Sequence, residues 1–427
     1  MEEAWAAADS LLGMIQRGRG AAYPAALAQP RQARDFLIDC IADDPRWDHQ
    51  VESRGWLYAC LVKELGVDLR WLRAAYSRPA DPGGDADAWL AIDVLEDLAR
   101  AQVEGSVTEL RYYLRTGRDL DLALRALVPF HAHPEARGLL DELLEVADDE
   151  QLGRAVAWSF DLGAPPWPQW RAQSPRVDRV LWAEEQRVAQ RRPVPHVDRS
   201  AAERERILDA AVERGLLSPG EATGLDDSRW EATLLRVAPQ LLADRSLPAA
   251  ARIATRRQMM RQHSPDALAW ARSKAGLDGT LGHQALAMLS ASGEAPDAAE
   301  LLDHLAISSE GGQDSIAVQC TLVDGLTRLA YRPAAPIFES LFDTTVYSYL
   351  RERCALGLGC ISGDFARGRA VECLTDAEAG TRGVGVTHAD LSMPDVRERL
   401  VRMAEDAMEE EGNRRAASIR ISLERCW

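Results

Sequence analysis

The chain predicts an all-α fold of stacked helical hairpins, and three observations carry that prediction. First, three stretches of the C-terminal half read as variants of one another: Ala285–Leu305 (ALAMLSASGEAPDAAELLDHL), Gly325–Phe342 (GLTRLAYRPAAPIFESLF) and Ala355–Leu374 (ALGLGCISGDFARGRAVECL). Each passes from a small-and-apolar helix end through a short loop holding Gly, Pro or Asp into a second amphipathic helix. Their final residues, Leu305, Phe342 and Leu374, stand 37 and 32 positions apart. That drifting interval is expected of hairpins that bury an apolar face only against the next unit. Second, Ser106/Glu109, Ser200/Glu203, Ser218/Glu221 and Ser228/Glu231 have the Ser-x-x-Glu spacing of a capping box, in which hydroxyl and carboxylate satisfy unpaired backbone amides at a helix start. Third, in Ala91–Val103 the residues Ile92, Leu95, Leu98, Ala99 and Val103 form one apolar helical stripe. The architecture expected is an α-solenoid.

Taken in order, Arg31–Leu65 reads as two helices joined by an Asp-Pro loop. Loops fall where Gly and Pro cluster, at Ser77–Asp85, Gly163–Pro168 and Arg191–His196. The last two bracket the natural divide. The sequence therefore suggests an N-terminal helical-repeat array over 1–162, a Trp/Pro/Arg-rich connecting segment over 163–199 and a C-terminal array over 200–427. Within the last, Ser200–Pro248 is a helical junction, its Pro219 well placed at a first helical position after Ser218. Arg382–Thr387 (RGVGVT) has an extended flavour and is expected to be an inter-helix loop.

Composition narrows the classes. The 427 residues are 46% apolar and 27% charged, an ordinary balance for a folded chain. No uncharged apolar run approaches the roughly 18–20 residues a membrane span needs. The start MEEAWAAADS is acidic where a secretory signal is basic, and of seven cysteines without CxxC spacing most read as small buried hydrophobes. A cytoplasmic location is expected. Fifty basic and 67 acidic residues give a net charge of −17, which repels phosphate polyanions and favours basic or neutral partners. Lys63 and Lys274 are the only lysines, a bias that matches the Ala, Arg, Asp and Leu excess of a GC-rich coding sequence.

The three C-terminal hairpins, with Arg31–Leu65, resemble degenerate HEAT-like repeats of bacterial proteins. The resemblance covers most of the chain and is one of pattern. It implies a curved helical array that serves as a binding surface, and it names no partner.

Several chemistries are excluded by missing motifs. Neither lysine follows a glycine, which removes the Walker-type phosphate loop; there is no Gly-x-Ser-x-Gly nucleophile elbow. No His-Glu dipeptide occurs, which removes HExxH metalloproteases and the HEAT-repeat hydroxylases whose di-iron sites use repeated His-Glu pairs. His131 and His133, with Glu135 or Asp141 nearby, could begin a metal site, or could serve a helix C-terminus; no third ligand is indicated, and no metal or cofactor is expected. The acidic runs Asp141–Glu150 and Glu405–Glu411 read as solvated helix faces or docking faces for a basic partner.

Two sets of residues remain as candidates. Trp158, Trp167, Trp170 and Trp182, interleaved with Arg171, Arg176 and Arg179, concentrate the two residue types that dominate binding hot spots. They either line a ligand groove or plug a seam in the fold. Trp89 and Asp93 lie one helical turn apart on a shared face. In residue type the pair is similar to the aromatic-plus-carboxylate site of HEAT-like alkylpurine DNA glycosylases. Such enzymes need a basic groove, whereas here Pro165–Arg206 carries nine Arg against six Asp or Glu in an otherwise acidic chain. The sequence thus points to a non-catalytic scaffold or adaptor binding a protein or peptide on its concave helical surface. The alternative is an enzyme on the same scaffold, acting on a nucleic acid base or a peptide.

Overall fold

The computed structural model describes residues 5–76, 88–157, 161–190, 198–223, 225–311 and 315–424. The readings placed on 77–85, Trp158, 191–196 and Cys426 lie outside these residues. Among the described residues every regular element is helical and none is a strand. The chain forms two compact units: unit one comprises Met1–Arg192, Asp343–Glu352 and Asp364–Trp427, and unit two comprises Pro193–Phe342 and Arg353–Gly363.

Among the described residues the chain opens with α1 (Leu11–Arg17), α2 (Ala22–Ala28), α3 (Pro30–Ala42), α4 (Gly55–Leu65), α5 (Leu72–Tyr76), α6 (Ala88–Arg100), α7 (Ser106–Thr116), α8 (Leu120–Leu127), α9 (Leu139–Val146), α10 (Asp149–Ala157), α11 (Trp167–Gln173) and α12 (Pro175–Gln190). They pack in alternation. α4 lies on α6, α6 on α8, α8 on α10 and α10 on α12, while α3 lies on α5 and α7 on α9. Arg31–Leu65 is α3 and α4, as its pattern suggests. The stripe read over Ala91–Val103 belongs to α6, which begins earlier and stops at Arg100, because Gln102 adopts a positive φ of 56°.

Unit two follows with α13 (Arg199–Glu213), α14 (Pro219–Ala222), α15 (Asp227–Ala243), α16 (Ala249–Met260), α17 (Pro265–Lys274), α18 (Gly279–Ser292), α19 (Ala298–Glu310), α20 (Ile316–Arg328) and α21 (Ala335–Thr344). Its packing is local in sequence: α13 on α16, α16 on α18, α18 on α20 and α19 on α20. Then come α22 (Ser348–Ile361), α23 (Arg369–Cys373), α24 (Ala379–His388), α25 (Pro394–Glu405) and α26 (Glu411–Glu424). The three hairpins read from sequence share one local form, helix, single 3₁₀ turn, helix. The turns are Ala295–Asp297 before α19, Arg332–Ala334 before α21 and Phe365–Arg367 before α23.

Unit one is held together by buried charge, in forked pairs 25 and 27 residues apart and in bonds from its N-terminal helices to distant parts of the sequence. Arg351 holds Asp376 through two hydrogen bonds of 2.7 and 3.1 Å, and both side chains are fully buried. Arg382 grips Glu409 in the same forked manner (2.7 and 2.9 Å) and donates to the carbonyls of Asp376 and Ala377. Glu52 accepts from the Ser348 amide at 2.8 Å and from Arg54 at 3.2 Å. Glu378 accepts from the Ser53 amide and the Ser348 hydroxyl. Gly18, at φ 65°, turns the end of α1 so that its carbonyl receives the Ala377 amide and Arg351. A side chain there would strike Arg54 and Ala377.

Two sequence readings are corrected. Of the four Ser-x-x-Glu pairs, Ser218/Glu221 forms a reciprocal capping box and Ser106/Glu109 and Ser200/Glu203 do not, while the Ser228 side chain lies outside the described residues. Asp198 and Asp226 cap α13 and α15 instead, one helical position ahead of Arg199 and Asp227 respectively. Glu109 turns to Arg73 and Tyr76, Glu203 to Arg257, Arg261 and Gln258, and Glu231 to Ser264, so tertiary partners outcompete the local motif. Arg382–Thr387 is part of α24, not a loop. Its glycines disfavour a helix intrinsically, but packing on α23 and α26 and the buried Arg382–Glu409 pair outweigh that preference.

Candidate functional site

The row α6, α8, α10 and α12 of unit one bears the most distinctive surface. Trp89 on α6 is 47% exposed, and the Arg125 guanidinium of α8 lies 5.2 Å from its ring centroid. Arg125 also donates to Asp93 at 2.9 Å, so tryptophan, carboxylate and guanidinium form one contact. The motif recurs along the row without its tryptophan. Arg154 of α10 reaches back to Asp121 of α8 at 2.8 Å, and Arg176 and Arg179 of α12 reach Asp149 of α10. In unit two, Arg353 of α22 likewise reaches Asp324 of α20 at 3.1 Å. Along the row α8, α10 and α12 thus each send an arginine to an aspartate of the preceding row helix, 32, 33 and 27 residues back for Arg125, Arg154 and Arg176, and the Arg353 pair of unit two spans 29.

The Trp/Arg-rich segment divides by burial. Trp167 and Trp170 of α11 meet edge to face with centroids 5.5 Å apart, and both sit in the apolar core of unit one. Their areas are used in folding and are turned away from solvent. Arg171 bridges Asp178 and Glu185, and Arg176 donates to the terminal carbonyls of Leu144 and Ala147, closing the end of α9. Arg179 is exposed beside Asp149. Trp182, 58% exposed, stands out on α12, away from the buried pair Val180 and Leu181. Of the binding residues expected from sequence, Trp182 alone among the described tryptophans of this segment exposes its indole to solvent.

Beneath the Trp89 face lies an acidic patch of α6. Burial pushes the Asp97 carboxyl up to about 7, against the opposing pull of Arg100 and with added repulsion from Glu96 and Asp93. Glu96 is raised for the same first reason. Arg100 donates to both. A carboxyl that exchanges its proton near neutrality can serve acid–base chemistry or can simply be a desolvated structural group. Asp97 is paired with Arg100 and Asp93 with Arg125, so each of these two carboxyls already has a guanidinium partner.

The histidine pair does local work. His133 accepts from the Glu135 amide at the start of a 3₁₀ turn, and His131 contacts the Val128 carbonyl at the end of another. Among the described residues no three His, Cys, Asp or Glu side chains are grouped to hold a metal ion. No helix of the described residues is long and apolar enough to cross a membrane. The cysteines at 40, 60, 354 and 373 are buried thiols, and burial pushes Cys40 and Cys60 up to about 12.

Sequence reading missed Arg125 as the partner of Trp89 and Asp93, and with it the Asp-to-Arg spacing. The signal was present as Asp93/Arg125, Asp121/Arg154 and Asp324/Arg353, all near the interval of the hairpins themselves. It is faint because 50 basic and 67 acidic residues supply many accidental pairs at any spacing. Compared with protein-family models, with curated proteins and with solved structures, the chain matches none.

Proposed function

We propose that the chain is a HEAT-like α-solenoid that acts as a binding scaffold, engaging a basic or neutral protein or peptide on the exposed face of the α6–α8–α10–α12 row. The observation that carries the reading is the row itself, in which successive helices stack and present Trp89, the Asp/Arg steps and Trp182 on half-exposed surface. Stacked hairpins create broad surfaces whose shape is the working part. An exposed indole beside guanidinium and carboxylate offers both apolar area and directional bonds, the combination that interface hot spots use. The net charge of −17 adds attraction for a cationic partner.

Selection from a displayed peptide library against the full chain, followed by titration, tests this. Selected peptides should be rich in Lys or Arg, and Trp89→Ala or Trp182→Ala should weaken them about tenfold or more, the usual scale of an aromatic anchor. Selected peptides that bind both variants as tightly as the parent would overturn the reading.

A second reading, base-excision chemistry, is favoured by the single contact of Trp89, Asp93 and Arg125. There the indole would stack on a cationic base and the carboxylate would stabilise its departure, while Arg125 would meet a backbone phosphate. Release of alkylated base from methylated DNA by the parent, and its loss in Asp93→Asn, would favour this reading over the scaffold.

A further inference from the structure

A second place in unit one has the makings of a ligand site. A cavity of about 450 Å³ lies between the start of α2 and helices α23 and α25, walled by Pro24, Val371, Leu374 and Val396. Arg399 of α25 lines it, its guanidinium carbon 5.5 Å from the Tyr23 ring centroid and 5.6 Å from that of Trp56. Trp56 in turn carries Arg382 at 3.9 Å, so cations and rings alternate in one stack. Arg382 is neutralised by Glu409.

Arg399 is not neutralised. It has no carboxylate partner or hydrogen bond among the described residues, and its Nε–H is buried without an acceptor. The other charges of the lining are spoken for, save one. Glu372 is held by Arg19 at 2.9 Å and by Arg369 at 2.8 Å, and Arg367 is paired with Asp390 at 2.7 Å. Asp395 is exposed in the first turn of α25, where the helix dipole favours it, and has no ion-pair partner among the described residues. An acidic chain that leaves a guanidinium unpaired between two rings, at an apolar cavity, has kept a cation available for something from outside.

We infer that this cavity binds a carboxylate carried on an apolar or aromatic body, the carboxylate meeting Arg399 and the body filling the space along Val371, Leu374 and Val396. The volume lies within the range of small-molecule sites and suits one large side chain with its flanking groups. A single guanidinium matches a monoanion, and Asp395 at the rim with the acidic field of the chain turns away phosphates and other dianions. Two sources share this chemistry: a free small acid and the C-terminal residue of a peptide. The site stands whether or not the α6–α12 row binds a partner.

Titration calorimetry of the full chain tests the assignment with N-acetylphenylalanine, its amide, and a tetrapeptide ending in Leu with free or amidated C-terminus. One or both acids should bind, with the matching amide about tenfold weaker or worse, the scale of a lost charge-assisted bond. Binding of the free acid alone identifies a small-molecule site, and binding of the peptide acid alone identifies a C-terminus site. Arg399→Met should weaken the acid by about tenfold as well. Because Arg399 also stacks on Trp56, a second variant, Val371→Trp, fills the cavity while leaving the arginine in place and should abolish binding. Equal affinity for acid and amide, binding unchanged in Val371→Trp, or no heat from any probe at about 10 mM would overturn the assignment.

Discussion

In unit one, six arginines, Arg17, Arg19, Arg46, Arg54, Arg351 and Arg382, are at most 7% exposed, whereas the buried polar side chains of unit two among the described residues are amides, hydroxyls and two carboxylates. The difference follows the connectivity. Unit two packs helix against near neighbour in sequence, so apolar and small residues at each step suffice. Gly325 of α20 meets Ser290 of α18, where an added Cβ would lie 2.7 Å from the Ser290 backbone, and Arg328 caps the end of α18 through the carbonyls of Leu289, Ser290 and Gly293. Unit one has to bring residues 16–20 and 46–54 onto 343–352 and 372–382. Closing so long a loop costs entropy that no neighbouring helix repays, and the bonds that span it run to buried charged groups: Arg19 to Asp343 and Glu372, the Ser348 amide to Glu52, the Ser53 amide to Glu378, and Arg351 to the Gly18 carbonyl.

The widest separation of the two units should come from Asp376. Asp376→Ala strands Arg351, whose Nη1 already lacks a partner, in a dry interior. Loss of one member of such a pair costs roughly 3–5 kcal/mol. Amide exchange should locate the damage at Ala377, whose N–H bonds to Gly18, while unit two amides keep their protection. Joint replacement by Arg351→Met and Asp376→Leu should recover most of the loss, since apolar packing can substitute for a buried pair. Equal loss of protection in unit two would show that the units do not differ in this way. The reciprocal experiment is Gly325→Val, which overpacks the α18–α20 contact and should cost about 1–3 kcal/mol, with the loss of protection confined to unit two.

The same contrast explains what could be read from the sequence. The helical class and the helix–turn–helix form of Ala285–Leu305, Gly325–Phe342 and Ala355–Leu374 were legible because each is decided within some twenty residues by apolar spacing and turn residues. The pairs Arg351–Asp376 and Arg382–Glu409 were not, because nothing near Arg351 or Arg382 marks a charge as buried. Arg382 even lay in a stretch whose glycines argued against a helix. At the candidate site, residue type pointed to Trp89, Asp93 and Trp182, but burial decided the rest. Trp167 and Trp170 have the same composition signal as Trp182 and face the core. A Trp-rich stretch announces large apolar area without saying whether a fold or a partner will cover it.

Asp97 sharpens the comparison through pH. Its folded carboxyl titrates at about 7, above the ordinary range, so the folded state holds this proton more tightly than the unfolded one. Its contribution to stability is therefore full below about pH 4 and is lost as pH rises to about 7. Asp97→Asn removes that titration. The variant should gain on the parent by roughly 1–2 kcal/mol at pH 8, a gain that shrinks steadily on acidification. Denaturant titrations between pH 5 and 8 measure it; a gain independent of pH would mean that the charge on Asp97 is not what burial penalises.

The exposed Asp/Arg steps should matter least, and that expectation bears on why they are there. Arg154 pairs with Asp121 and Glu150 while 46% exposed, so water and salt screen it and its side-chain entropy opposes the bond. Arg154→Ala should leave the unfolding midpoint almost unmoved, and any difference should vanish near about 0.5 M salt. Against the several kcal/mol expected at Asp376, such a step contributes little to the fold. Its recurrence along α6, α8, α10 and α12 then has to be accounted for by register between helices or by what the surface meets. If Arg154→Ala instead cost as much as Asp376→Ala, the row would be structural, and Trp89 and Trp182 would be left without a charged frame kept for a partner.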